Sequence, residues 1–337
     1  MRPKLKVTSN DVARLAGVSQ STVSKVANNS EIVTAATRAK VIQAAHELGY
    51  TLTPRSDGSF HVALIIPGPS IVGYTSEVLS GLLVDLLKQK IKLEIVSGNQ
   101  LEILNERSVN CAISINWEKE FYDSYKRTLS LPLVRIGGAS SHHEDIYSVT
   151  SDGMFSLKFL VDKLWNLNHR KIGFFFFDPF EHEVNTQSRR RAGFLTAMRS
   201  HGVEDPEEFC TYNCTERDED ELVELLRKWY DAGVTALIFA NSYGTGKMMK
   251  IIRMANIKVP SELSVIGWEF PRVSEYTDPP LSTLDMDPFE LASTAVNLLK
   301  QILNKKDNLK DIYLPYKYIE RKSVAPARIT PPECSES

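Results

Sequence analysis

Between residues 19 and 28 lies a run of side chains suited to reading the edges of base pairs: Ser19-Gln20-Ser21-Thr22-Val23-Ser24-Lys25-Val26-Ala27-Asn28. A glutamine amide can pair at two points with adenine, and a lysine ammonium can donate to guanine. The hydroxyls of Ser19 and Thr22 suit phosphate oxygens, as do the free amides at a helix start. Ser21 and Ser24 are short, so a helix carrying them can come close to the bases. The spacing predicts that helix: Ser19 is a cap residue opening Gln20–Asn28, and Val23 and Val26 stand three apart on one face. On pattern alone a small helical cap with a solvated polar face remains open.

Other chemistries find little support. Asn241-Ser-Tyr-Gly-Thr-Gly-Lys247 lies between a strand and a helix, but a phosphate loop needs glycine at Asn241 and Ser or Thr at Met248. His142-His143 has no cysteine or carboxylate at ligand spacing; Glu144 and Asp145 are adjacent rather than on one helical face. No Gly-x-Ser-x-Gly elbow and no nucleophilic cysteine context occurs. The four cysteines, Cys111, Cys210, Cys214 and Cys334, make neither a disulfide framework nor a zinc pattern. No catalytic residue, metal or cofactor is expected, and the chain is not expected to be an enzyme.

The candidate reading helix needs neighbours to hold it. Thr8-Ser-Asn-Asp11 is a capping pattern, followed by Val12, Ala13, Leu15 and Ala16 at helical spacing. Gly17 ends that helix. A third helix starts near Thr34 and runs through Val41, Ile42, Ala45 and Leu48. Three short helices with a glycine turn between the first two form a helix-turn-helix unit. From His61 the pattern becomes α/β. Strands are expected at His61–Pro67, Lys92–Ser97, Cys111–Ile115, Leu133–Gly137, Lys171–Phe177, Ala236–Ala240 and Leu263–Gly267. Helices are expected at Glu77–Gln89, Met154–Leu167, Arg189–His201, Asp218–Trp229, Gly246–Asn256 and Pro288–Lys305. Such alternation predicts parallel sheets covered on both faces, and the series is long enough for two lobes.

At 337 residues, 42% hydrophobic and 24% charged, the chain has too much apolar content for disorder. No run approaches the ~20 apolar residues of a membrane helix, so no membrane partner is expected. The basic start lacks the apolar stretch of a secretory leader, and with the cysteine usage this predicts a reduced, cytoplasmic setting. Residues 1–55 hold eight basic against three acidic residues, +5, within a chain of net −2, leaving −7 for the rest. A basic head on an acidic body predicts an anionic partner for the head.

Asp11-Val-Ala-Arg-Leu-Ala-Gly-Val-Ser19, Ser21-Thr-Val-Ser-Lys-Val26, Asn28-Asn29, Thr37-Arg38, Val41 and Glu47-Leu-Gly-Tyr50 together resemble the N-terminal signature of the lactose-repressor (LacI/GalR) family of bacterial transcription regulators. Val149-Thr-Ser-Asp-Gly153, Leu167-Asn-His-Arg-Lys-Ile-Gly173, Arg190-Arg-Ala-Gly-Phe194, Ala240-Asn241, Ser264-Val-Ile-Gly267 and Pro279-Pro-Leu-Ser-Thr283 resemble the family's periplasmic-binding-protein-like core. The resemblance implies a homodimer on a near-palindromic operator, with a sugar or sugar derivative as effector in a cleft between the lobes. It adds Ser9, Asn10, Asn28, Thr34, Thr37 and Tyr50 to the DNA contacts. It implies Tyr74, Arg190, Asn241, Trp268 and Glu269 as effector contacts. Two positions depart from the family's pattern: Glu269 and Ser242 stand where it usually has Asp. These departures keep a regulator that has lost its small-molecule response in view. A solute-binding protein serving transport fits the core but not residues 8–50.

The expected divisions are a head at 7–54, a short linker at 55–60, a core at 61–324 and a disordered tail at 325–337. Within the core, one lobe takes 61–150 with 286–312 and the other 151–285 with 313–324. In the family a short helix follows the Gly-Tyr pair, and its leucine wedges into the minor groove. Here Asp57-Gly58 is a turn signal just after Pro54, leaving too little chain for a stable helix. An extended linker that does not insert is expected. Leu52 is the wedge if a helix forms on DNA.

Overall fold

The computed structural model describes residues 7–28, 30, 32–52, 61–66, 71, 74–89, 91–105, 109, 111–115, 125, 129, 131–137, 146–176, 186–214, 216–240, 244–304, 306 and 309–328. The expected linker and its Asp57-Gly58 turn lie outside the described residues, as do His142 and His143.

Three helices form the head: α1 (Ser9–Ala16), α2 (Gln20–Ala27) and α3 (Ala35–Glu47). Each starts on a local device. The Asp11 carboxylate accepts from the Thr8 hydroxyl at 2.7 Å and the Thr8 N–H at 2.9 Å. Those bonds, the hydroxyl's foremost, hold its carboxyl below the usual range. Ser19 caps α2 by accepting from the Thr22 N–H at 3.1 Å, and Thr34 caps α3 by accepting from Thr37 at 3.3 Å. Gly17 closes α1 at φ +66°, where a side chain would be strained. Val12, Val23, Val26, Val41, Ala44, Ala45 and Leu52 close the core between the helices.

The chain divides into two compact units, Met1–Thr150 with Pro288–Tyr313, and Ser151–Asp287 with Leu314–Ser337. In chain order the elements beyond the head are β1 (His61–Ile66), α4 (Tyr74–Lys88), β2 (Lys92–Ser97), β3 (Cys111–Ser114), β4 (Leu133–Ile136), β5 (Ile146–Ser151), α5 (Gly153–Asn166), β6 (Ile172–Phe175), α6 (Thr186–Ser200), β7 (Cys210–Thr211), α7 (Glu219–Asp231), β8 (Ala236–Phe239), α8 (Thr245–Met254), β9 (Ser264–Trp268), β10 (Ser282–Asp285), α9 (Pro288–Leu303), β11 (Ile312–Leu314) and β12 (Lys317–Ile319).

The first unit's sheet runs β11-β5-β4-β3-β1-β2, with parallel registers such as Val62 beside Cys111 and Leu133 beside Ile146. The second runs β12-β10-β9-β8-β6-β7. Its central strands are parallel, with Ala236 beside Ser264 and Thr283 beside Gly267. The all-parallel expectation fails at one edge, where β12 pairs antiparallel with β10. Strand β6 shows why helices cover both faces: Phe174 packs into one core cluster with Phe194 and Trp268, and Phe175 into another with Trp229 and Phe239. A Cβ on Gly193 would meet the Met154 backbone at 2.8 Å, so glycine lets α6 lie close on α5.

The tail expected to be disordered from residue 325 starts with bound chain. The Ala325 carbonyl accepts from Ser264 Oγ at 2.9 Å and faces His169 Nε2 at 3.0 Å. The Ala327 N–H donates to the Leu167 carbonyl at 2.8 Å. Arg328 donates to the Tyr230 carbonyl at 2.8 Å and lies over the Tyr230 ring. Side chains well back in the sequence supply these anchors, so tail composition alone does not reveal them. Residues 329–337 lie outside the described residues.

Candidate DNA-reading face and effector site

On α2 and its C-terminal cap, Ser21, Lys25 and Asn28 are exposed at three- and four-residue spacing, while Val23 and Val26 are buried in the head core. Gln20 is also exposed. Its amide nitrogen donates to Ser9 Oγ at 3.0 Å, which ties the start of α2 to α1. The same nitrogen carries a second hydrogen, so the two-point pairing with adenine survives. The Ser19 hydroxyl lies 2.7 Å from that of Ser21 and 2.8 Å from that of Thr22. It is thus a structural hub as well as a phosphate candidate. Half-buried Ser24 accepts from the Asn28 amide at 3.4 Å. Asn10 is exposed on α1, and the Thr34 and Thr37 hydroxyls meet at 2.9 Å where α3 begins.

Two expected DNA contacts belong partly or wholly to packing. Tyr50 is half-buried against the head core. Leu52 is 4% exposed and is a member of that core. Its burial speaks against the alternative in which it is a wedge on DNA: insertion between base steps would take it out of an apolar site and open a cavity behind it.

In the second unit the Arg190 guanidinium, on α6, is 6% exposed. Nη1 donates to the Ala240 carbonyl at 2.9 Å and Nη2 to the Tyr316 hydroxyl at 3.1 Å. Met286 Sδ lies 3.9 Å from Nη2, and the group stacks 4.6 Å from the centre of the Trp268 ring. Arg190 Nε and Trp268 Nε1 are buried without a hydrogen-bond partner. Ala240 follows β8, Trp268 ends β9 and Met286 follows β10. Arg190 therefore sits at the carboxyl ends of three strands, the end of an open α/β sheet where ligands bind.

Glu269 does not serve as expected. Its two carboxylate oxygens accept from Arg321 at 2.8 and 3.1 Å, and one also accepts from the Thr283 hydroxyl. Its side chain is 8% exposed, so its acceptor capacity is taken up internally rather than offered to sugar hydroxyls. Trp268 is 2% exposed, with Arg190 over its face and Tyr316 at 6.0 Å in an edge arrangement. Packed in this way, the Trp268 ring has the Arg190 guanidinium on its face. Tyr74 begins α4 in the other unit; its side chain, like the whole of Asn241, lies outside the described residues. Of the five expected effector contacts the structure thus brings together Arg190 and Trp268, and gives Glu269 a different partner. Arg321, Tyr316 and Met286 escaped the sequence reading, because no local motif marks them; Thr283 ends the Pro279–Thr283 segment that resembles the family's core, but that segment assigns it no role.

The thiols are poor nucleophiles: burial foremost pushes Cys210 and Cys214 up to about 12. Among the described residues no group of three His, Cys, Asp or Glu side chains is placed to hold a metal, and no helix is long and apolar enough to cross a membrane.

Comparison with known proteins agrees with both halves. Residues 8–52 match the family described as bacterial regulatory proteins, lacI family, and residues 161–324 match the periplasmic binding protein-like domain. The chain is 26% identical to the HTH-type transcriptional regulator GalS of Salmonella typhimurium, over 88% of this chain and 89% of GalS. It is 26% identical to the HTH-type transcriptional repressor PurR of Pasteurella multocida, covering 89% of this chain and 92% of PurR. It is 28% identical to catabolite control protein A of Priestia megaterium, covering 95% and 99%. Its fold is that of the lac repressor dimer bound to operator and the anti-inducer ONPF, with a TM-score of 0.68, 20% identity and 95% and 100% of the two chains covered. The transcriptional regulator CelR in complex with cellobiose superposes with a TM-score of 0.66, at 21% identity over 94% and 100%. With two mostly parallel α/β sheets behind a capped helix-turn-helix head, this chain joins a lacI-family DNA-binding head to a periplasmic-binding-protein-like domain, the make-up of the transcriptional regulators to which it is similar, which are not enzymes.

Proposed function

We propose that the protein is a cytoplasmic repressor that binds a near-palindromic operator as a homodimer and changes its affinity with a small effector, a sugar or sugar derivative. The outer row of α2 carries this reading: Gln20, Ser21 and Lys25 are exposed on a helix fixed by its Ser19 cap and its two buried valines. A single short helix reads only a half-site, so a second copy is needed for a full operator. Helix α4 offers a surface for one. Leu83, Val84 and Leu87 recur along it at 38, 42 and 70% exposure, and Ile95 of β2 is 43% exposed. The lac repressor structure holds a dimer on operator, and the CelR structure holds cellobiose.

The test is a salt series of operator binding by the wild-type and Lys25→Ala proteins. A base contact by Lys25 makes the variant weaker by ~1–3 kcal/mol and relaxes preference at one base position; a phosphate contact instead weakens binding evenly and flattens the salt slope by about one. Identical isotherms at every salt concentration would remove α2 as the reading face.

A further inference from the structure

We infer that the effector is an anion, a small molecule whose carboxylate or phosphate oxygens are taken by Arg190. The inference rests on the effector-responsive reading above and adds the chemical class of the ligand. A guanidinium keeps its charge at any accessible pH. The Arg190 group is nine-tenths buried, yet its partners are neutral: a carbonyl, a phenol, a thioether and an indole face. Among the described residues no carboxylate pairs with it. A buried charge without a counter-charge carries a desolvation penalty that an opposite charge offsets. The arginine therefore favours an anion at this end of the sheet.

The rest of the surroundings points the same way. Trp268 Nε1 is a second buried donor without a partner, and donors need acceptors. A neutral sugar supplies hydroxyls that donate as well as accept, so it needs acceptors from the protein. Glu269 follows Trp268 and has the chemistry for that, but Arg321 engages both of its oxygens. Lost as an acceptor and neutralised as a charge, Glu269 leaves two charged groups at these strand ends: Arg190, and half-buried Asp285, which ends β10 and accepts from the Asp287 N–H at 2.9 Å. Carboxylates and phosphates accept without donating when ionised, which matches a donor-rich site. Thr245, in the first turn of α8 just beyond β8, adds a fully buried hydroxyl without a partner at the same end of the sheet.

The experiment uses the full chain and matched probes: glucose, gluconate and glucose 6-phosphate, with inorganic phosphate and sulfate at equal ionic strength. Thermal unfolding and tryptophan emission are followed as each is titrated. One or both charged hexose derivatives should raise Tm and alter emission saturably, and glucose should do neither; which derivative acts separates a carboxylate from a phosphate ligand. Arg190→Lys keeps the charge but loses the planar fork, and should weaken that response about tenfold or more. Three results overturn the inference: glucose acting as strongly as its charged derivatives, sulfate giving the same shift, or no response to either derivative. The wild-type comparison decides the question even if Arg190→Lys fails to fold. Operator binding is measured on the same preparation. A protein that binds operator but ignores the charged derivatives retains the DNA reading and loses this one.

Discussion

Leu52 marks the end of the head, packed with Val12, Val23 and Val41 rather than standing ready to leave. Replacing it with alanine deletes buried methyl groups and leaves a cavity, so Leu52→Ala should destabilise the head by ~2–5 kcal/mol. Urea unfolding followed by helical signal checks this; an unchanged midpoint would show that Leu52 is not part of the core. The neighbouring sequence signals were legible because they act within one turn of chain. Ser19, Thr34 and Gly17 declare themselves by type and by position relative to the valines, and the structure places each at a helix end. Glu269 was illegible for the opposite reason. Its partner Arg321 lies 52 residues away on the far side of α9, and no spacing rule connects them. A carboxylate next to a strand end reads the same whether it faces a ligand or an arginine.

At the scale of elements, long periodic segments and apolar strands were readable, and the shortest and the most polar strands were not. The expected helix Arg189–His201 is Thr186–Ser200, and the expected strand Lys92–Ser97 has those bounds. Strands β7, β11 and β12 run for only two or three residues, too few to show alternation. Strand β5, Ile-Tyr-Ser-Val-Thr-Ser, is too polar to stand out as a buried run. The bound start of the tail follows from a buried imidazole. His169 Nε2–H donates to the Ala325 carbonyl, and Nδ1 accepts from the Thr235 hydroxyl at 2.8 Å. Burial foremost holds its pKa below 6.5, with Arg170 adding to the effect and the bond to Ala325 opposing it. The unfolded chain therefore binds this proton more readily. The stabilisation is fully present above about 6.5 and is lost as pH falls from there toward the lower folded value. Thermal unfolding between pH 7.5 and 5 should show Tm falling through that window, and His169→Asn should flatten the fall. An equal slope in the variant would exclude His169 as its source.

At the scale of the molecule, the charge partition and the switch from short helices to alternating α/β elements already separate a basic head from an acidic body. The apolar face of α4 was hidden in the sequence, because an amphipathic helix in an α/β lobe is expected to bury such residues. Only the structure shows Leu87 at 70% exposure. Placing a charge there should cost little within one chain and much between two. With α4 as the proposed dimer face, the expected outcome is a wild type that sediments as a dimer and a Leu87→Glu variant that sediments as a monomer at the same concentration and binds operator more weakly through loss of the second reading helix. A variant that stays dimeric would move the interface elsewhere.

The central claim is that two copies of α2 read a two-fold site, and selection of bound duplexes from a random pool by the full-length protein tests it most directly. We predict one enriched sequence with two inverted half-sites, which loses its preference at defined base positions when Gln20 or Lys25 is replaced. A pool with no enriched sequence, or an enriched site without two-fold symmetry, would contradict the account.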